Sequence, residues 1–281
     1  MTRQQIDRLA KIGISLVTAL VVVPILFVII YVVYNGIGAI SWEFLTAPPR
    51  NGMREGGIMP ALLGTVILTF GTALVAFPLA IATAIYLAEY ARDNLFTRGV
   101  RMAIVNLAGI PSIVYGLFGL GAFVLFLNLG TSIIAGSLTL GLMTLPVVIS
   151  TAEEAILSVP REFRTVSLSL GATHWQTIRY QVLPHAMPGI LTGVILGLGR
   201  AAGETAPILF TVAAFYLPEL PHSIFDQTMA LPYHLYVIAT QVPGMPLSLQ
   251  YGTALVLLLV VSSLTLVATV LRTQMRRRRE W

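Results

Sequence analysis

The sequence predicts an all-α integral membrane protein with six transmembrane helices, and three observations predict it. Charged residues make up 10% of the chain and hydrophobic residues 56%, with a mean hydropathy of +0.85, whereas an ordinary soluble domain carries about 25% charged residues. Several apolar runs reach the roughly 18 residues that mark a membrane-spanning helix. Finally, the basic residues between those runs are dense in alternate loops and sparse in the others, the pattern of loops lying in turn inside and outside a membrane.

The expected spans are Ile12–Tyr34, Ile58–Ala88, Val100–Leu127, Ile133–Ser150, Pro188–Ala214 and Thr253–Leu271. The first is too long for a signal-peptide core and lacks a small-residue cleavage pattern, so it is expected to stay as an uncleaved helix. The second and third exceed about 20 residues and are expected to tilt or project beyond the bilayer. Pro78 and Pro111 lie within them, where kinks are expected. The fourth is close to the lower length limit and contains Pro146.

With the N-terminus in the cytoplasm, the inner segments hold Arg3, Arg8, Lys11, Arg92, Arg98, Arg101, Arg161, Arg164, Arg179, Arg272 and Arg276 to Arg279, while the outer segments hold only Arg50 and Arg54. Positive charge resists translocation, so this split favours six spans with both termini inside. The resulting division is a cytoplasmic N-terminus at 1–11, a transmembrane domain at 12–271 with a long cytoplasmic loop at about 151–187, and a basic cytoplasmic tail at 272–281. With no cysteine in the chain, disulfides, thiolate metal sites and cysteine nucleophiles are excluded. Neither catalytic residues nor a metal site is expected.

Two external loops are large, Asn35–Gly57 and Tyr216–Tyr251. In the second, "FDQTMALPYHLYVIAT" reads either as a short interfacial helix with Tyr233 and Tyr236 at headgroup level or as a loop packed on the bundle. His222 and His234 in this loop show no metal-ligand pattern.

The inner loop "EEAILSVPREFRTVSLSLGATHWQTIRYQVLPHAMPGI" has helical periodicity. Val159, Phe163, Val166 and Leu170 share one apolar face. Pro160 suits a helix start and Gly171 a helix stop. Thr173 and Gln176 form a capping box that opens a second short helix, with Trp175, Ile178 and Val182 on one face. Pro184 and Pro188 are expected to end that helix. Two short helices thus meet at a glycine corner. The corner reads as a DNA-binding helix-turn-helix, a lateral helix on the membrane, or a docking knob for a cytosolic partner. Its place between two spans argues against the first.

"LGLGRAAGETAPILF" places Arg200 and Glu204 inside an apolar run. Four residues apart on a helix, they meet on one face. A charge at mid-membrane costs about 2.5–3.5 kcal/mol on insertion scales, and such residues usually face a bundle interior or a watery path. Gly189, Gly193, Gly197 and Ala201 form one small-residue ladder, and Gly199 and Gly203 a second, allowing close helix approach. Pro207 is expected to bend the outer end. The pair reads either as a packing pair or as a substrate-path site in which Arg200 attracts an oxyanion through its planar donors while Glu204 holds or gates it.

The stretch "LGATHWQTIRYQVLPHAMPGILTG" resembles the coupling loop of ABC importer permeases. That family pattern is Glu-Ala-Ala, three residues, Gly, nine residues, Ile, one residue, Leu-Pro. Gly171 and Leu183-Pro184 match it. Thr165, Val166 and Ser167 stand in place of Glu-Ala-Ala, and Gln181 in place of Ile. "GGIMPALLGTVILT", "PLAIATAIYLAEYA", "GIPSIVYGLFGL", "GRAAGETAPIL" and "MALPYHLY" extend the likeness over nearly the whole chain, to phosphate-transport permeases of the PstA type.

The resemblance implies a type I ABC importer permease fold in a bacterial plasma membrane. It also implies a PstC-like sister permease, a PstB-like cytoplasmic ATPase dimer and a PstS-like extracytoplasmic phosphate-binding protein. ATPase docking falls to Glu162, Thr165, Gly171, Ala172, Trp175, Leu183 and Pro184, with Glu162 replacing the missing acidic contact. The only lysine is Lys11 and no P-loop exists, so no cofactor is expected on this chain and ATP with magnesium is expected on the partner ATPase. Only the resemblance selects phosphate over sulfate or molybdate. An ion-driven carrier would show matching broken half-helices in two repeats, and none is evident. A membrane-embedded enzyme has Glu153-Glu154 as its nearest candidate, a pair that reads as a solvated helix end.

Overall fold

The computed structural model describes residues 3–277. Met1, Thr2 and residues 278–281, with Arg278 and Arg279 of the tail, lie outside the described residues, as do the side chains of Arg3, Arg8, Arg276 and Arg277. The chain folds into α1 (Arg3–Gly36), α2 (Trp42–Thr46), a small hairpin β1 (Pro49–Arg50) and β2 (Glu55–Gly56), then α3 (Met59–Ile85), α4 (Leu95–Ala108), α5 (Ser112–Gly119), α6 (Ile133–Leu157), α7 (Arg161–Ser169), α8 (His174–Thr177), α9 (Leu183–Gly203), α10 (Ala206–Leu209), α11 (Leu231–Thr240) and α12 (Leu247–Arg277). The strands pair antiparallel, Pro49 with Gly56 and Arg50 with Glu55. Wider π-turns extend α3 through Tyr90 and α5 through Phe126, and a third joins α8 to α9.

Among the described residues five helices are long and apolar enough to cross a membrane, and α4 with α5, bent by 105°, together make a sixth candidate. The expected single span Val100–Leu127 is therefore two helices. Gly109-Ile110-Pro111 breaks it, because proline displaces the preceding residue from helical geometry. The pair nevertheless travels the length of α6. Arg101 of α4 bonds Glu153 near the end of α6, and Gly119 of α5 abuts Thr139 near its start, a separation of roughly 21 Å along the helix.

α6 is the centre of the bundle, with 67% of its apolar window buried against 33% for α3 and 0% for α1. Glycines and hydroxyls set it there. Gly136 lies against Val212, and Gly141 against Val75. The buried Thr139 and Thr144 return their hydroxyls to the carbonyls of Ala135 and Gly141, which removes the penalty of polar groups away from water. The helix starts at Ser132, whose hydroxyl accepts from the Ala135 N–H. The segment that follows α10 supplies carbonyls to the N–H groups of Ser132, Ile133 and Ile134, from Thr211, Asp226 and Ile224, satisfying donors that the helix leaves open.

The loop that follows turns back onto the bundle. Residues 231–240 form α11, with Leu231, Tyr233, His234, Val237 and Ile238 buried, so this segment packs on the bundle, with Tyr236 half exposed and Ala239 and Thr240 exposed at its end. Leu231 donates its N–H to Thr65 Oγ1 at 2.8 Å. A Cβ on Gly64 would stand 1.9 Å from the Met229 carbonyl oxygen. Gly64→Ala is therefore expected to displace this loop and cost about 1–3 kcal/mol, the range for overpacking. A lowered melting temperature in detergent, with faster proteolysis between residues 206 and 230, checks it.

Candidate functional site

The small-residue ladder of α9 meets α6 along its length. Added Cβ atoms at Gly189, Gly193 and Gly197 would stand 2.5 Å from Ala155 and 2.9 Å from Thr151 and Val148. The two helices run antiparallel, and one more turn brings Ala201 and Glu204 to a small void shared with Leu140 and Ile208. Leu140 lies seven residues into α6, roughly 10 Å along the helix from its first residue. Of the second ladder, Gly199 faces Thr265 of α12 at 3.5 Å, and Gly203 meets nothing within 4 Å.

The helix stops there. Glu204 is extended, at φ −76° and ψ 137°, and the four-residue α10 follows with Pro207 in its first turn. The expected continuous span Pro188–Ala214 is thus interrupted at Glu204–Thr205. The pair still meets. Arg200 Nε donates to Glu204 Oε1 at 3.2 Å, with the side chains 34% and 18% exposed. Among the described residues no other hydrogen bond holds Arg200, which leaves its terminal N–H groups available. Non-helical backbone at membrane depth occurs where it is buried in protein or lines a watery cavity.

Below, the corner forms as its sequence dictates. Pro160 caps α7. Gly171 sits at φ +84° with open space around it, a conformation that favours glycine. Thr173 and Gln176 make the reciprocal capping box. The second helix does not end at Pro184 or Pro188. It runs unbroken from His174 to Gly203, because the π-turn Ile178–Val182 shifts the hydrogen-bond register just before a proline that would clash with the preceding turn.

The apolar stripe that runs through α7 is buried just before the helix, at Val159 with 4% exposure, and bare along and beyond it, at Val166 and at Leu170 with 84%. Glu162, Phe163, Val166, Leu170, Ala172 and Gln181 line a hollow of about 390 Å³ there. Thr165, Gly171 and Trp175 are exposed around it. Ile178 and Val182 are fully buried, while Trp175, nearer the corner, stands half exposed. Leu183 packs inward on the Ile156–Val182–Ala186 cluster, and Pro184 lies within the helix. The corner therefore gathers Glu162, Thr165, Gly171, Ala172 and Trp175, and leaves Leu183 and Pro184 behind it.

Sequence reasoning did not find the groups that fasten this corner. Glu89 accepts from Arg164 at 2.6 Å, 75 residues on, with both side chains largely buried. Arg101 bridges Glu153 at 2.8 Å and the Leu87 carbonyl at 2.9 Å. The signal available was only that these charges flank apolar runs. Outside the spans, burial holds the His234 imidazole down to a pKa of about 4, and its Nδ1 has no partner among the described residues. Above pH 6.5 the ring is neutral in folded and unfolded chains alike. Between 6.5 and 4 only the unfolded chain takes the proton, so stability is expected to fall by up to roughly 3 kcal/mol and then level off. Melting temperatures across that range, flattened in His234→Leu relative to the unaltered chain, check it.

An interrupted span carrying a charged pair at depth, over a folded corner on one face of a helical bundle, defines a polytopic membrane permease. Residues 76–281 match the family described as "Binding-protein-dependent transport system inner membrane component", and the chain belongs to that family. It is 35% identical over 253 residues to the probable ABC transporter permease protein YqgI of Bacillus subtilis (strain 168), covering 86% of each chain. It is 38% identical over 225 residues to phosphate transport system permease protein PstA 1 of Mycobacterium tuberculosis (strain ATCC 25618 / H37Rv), covering 80% of this chain and 72% of that one.

In fold it resembles a bacterial ABC transporter involved in the import of the acidic polysaccharide alginate, with a TM-score of 0.66 at 16% identity over 95% of this chain and 99% of that one. The chain is a multi-pass inner-membrane component of a transport system and not its enzyme. Membership implies partners of three kinds: a sister permease, an ATPase and a binding protein.

Proposed function

We propose that the chain is one of two membrane-spanning halves of an ATP-driven phosphate importer, with both termini cytoplasmic. Its sister is PstC-like, its ATPase dimer PstB-like and its external binding protein PstS-like. ATP and magnesium act on the ATPase, which seats on the α7–α8 corner through Glu162, Thr165, Gly171, Ala172 and Trp175. The observation that carries the substrate class is Arg200, in the last turn of α9 beside a helix break, with guanidinium N–H groups left over after Glu204 is bonded. Tetrahedral oxyanions match that fork. Glu204 keeps the cation from becoming a permanent trap.

The PstA relatives support phosphate, and so does the chemistry of the pair. At neutral pH phosphate still carries an O–H donor, and a carboxylate such as Glu204 is an acceptor only. Sulfate and molybdate bring no such donor. The test is to reconstitute the chain with its sister permease, ATPase and binding protein in proteoliposomes. ATP-dependent uptake of labelled phosphate, undiminished by excess sulfate or molybdate, is the expected result. Preferential sulfate or molybdate uptake replaces phosphate with that anion, and uptake by the chain alone refutes the ATP-driven reading.

A further inference from the structure

We infer that Glu89 and Arg164 form a positioning pin that makes the α7–α8 corner move as one body with the inner ends of α3 and α6. The inference rests on the reading of that corner as the ATPase seat and names the residues through which the seat is fastened.

The geometry is specific. A guanidinium has five N–H donors in a fixed fork, and Arg164 places them all. Nε and Nη2 donate to Glu89 Oε1 at 3.0 and 2.6 Å. Nη2 also donates to the Ile156 carbonyl at 3.0 Å. Nη1 donates to the carbonyls of Val159 at 2.7 Å and Pro160 at 3.4 Å. One side chain of α7 therefore binds the end of α3 and the last turn of α6 together. From α8, His174 Nε2 lies 3.2 Å from the Glu89 carbonyl oxygen, and its ring stands edge-on to Tyr90 at 5.0 Å. Ser167 and Thr177 join α7 to α8 through their hydroxyls at 2.9 Å.

The pin has little competition. No residue of α7 is fully buried, so packing alone grips this helix weakly, and Phe163 is half-buried beside His185, ring centroids 4.7 Å apart. Glu89 is 5% and Arg164 19% exposed, so water does not substitute for either partner. Arg164 differs in this from Arg200, whose terminal N–H groups remain open. The first belongs to the frame and the second to the path. A lysine at 164 would keep the charge but lose the fork, reaching Glu89 or the carbonyls and not both.

The experiment uses the complete complex in proteoliposomes, measuring phosphate moved per ATP hydrolysed alongside ATPase copurification. Arg164→Lys and Glu89→Gln are expected to retain the ATPase and its hydrolysis while transport per ATP falls about tenfold, a typical coupling magnitude. The chain has no cysteine, so Glu89→Cys with Arg164→Cys, in a complex with cysteine-free partners, offers two unique thiols. A reducible bifunctional thiol reagent bridging them is expected to restore the ratio, and dithiothreitol to abolish it again.

Unchanged ratios in both single variants, or a bridged double variant that stays uncoupled, overturn the proposal. Failure of the seat itself is distinguishable. In that case ATPase does not copurify even with the unaltered chain.

Discussion

Arg200→Gln is expected to lower phosphate uptake at least about 100-fold while the complex assembles normally. A buried ion pair broken from one side leaves the other charge uncompensated, typically at 3–5 kcal/mol. Arg200 and Glu204 are partly exposed, 34% and 18%, and joined by one bond of 3.2 Å, so the structural loss is expected to be smaller. The proposed anion site, in contrast, would lose its cation, and a charge-assisted donor there has no substitute among neighbouring alanines and glycines. Uptake of labelled phosphate, normalised to the amount of assembled complex, checks the claim. Normal uptake by this variant at low phosphate would make the pair a packing device only. Arg200→Lys separates charge from fork: it is expected to retain weak uptake, since a lysine attracts the anion as a point charge without bidentate geometry.

Gly171→Val is expected to release the ATPase or to uncouple hydrolysis from transport. A Cβ at 171 would meet nothing within 4 Å, so crowding is not the cause. The φ of +84° is. A β-branched residue there is a genuine outlier, and such strain costs on the order of 1–3 kcal/mol. The corner relieves it by turning α7 and α8 out of their mutual angle, which breaks the Ala172 N–H bond to the Ser167 carbonyl and deforms the adjoining hollow. Gly171→Asn, which tolerates positive φ, is expected to keep most coupling. Copurified ATPase and phosphate moved per ATP distinguish the two variants. Full coupling in Gly171→Val would refute the docking role of the corner.

Much of this was legible in the chain itself. The Thr173–Gln176 capping box and the Gly171 stop formed as read, because both are local. The Arg200–Glu204 contact followed from spacing alone. The break beside it did not, although Gly203 and Pro207 flank it, because the apolar run continues across the interruption. The same masking hid the 105° bend at Gly109–Pro111. The fourth span, expected as Ile133–Ser150, reads as marginal because it is close to the lower length limit and contains Pro146; the helix runs on to Leu157, and its glycines let other helices crowd around it at the core. Glu89 and Arg164 lie 75 residues apart, and no periodicity couples them.

The unbroken passage from His174 to Gly203 has a mechanical consequence. It makes a lever whose lower tip sits at the corner and whose upper tip carries Arg200, roughly 39 Å away at 1.5 Å per residue. Pivoted near one end, a tilt of about 10° sweeps the other end through roughly 7 Å over that length, more than one helical turn. Under the proposed seating of the ATPase at the corner, a modest rocking there is expected to displace Arg200 by more than the rise of one helical turn.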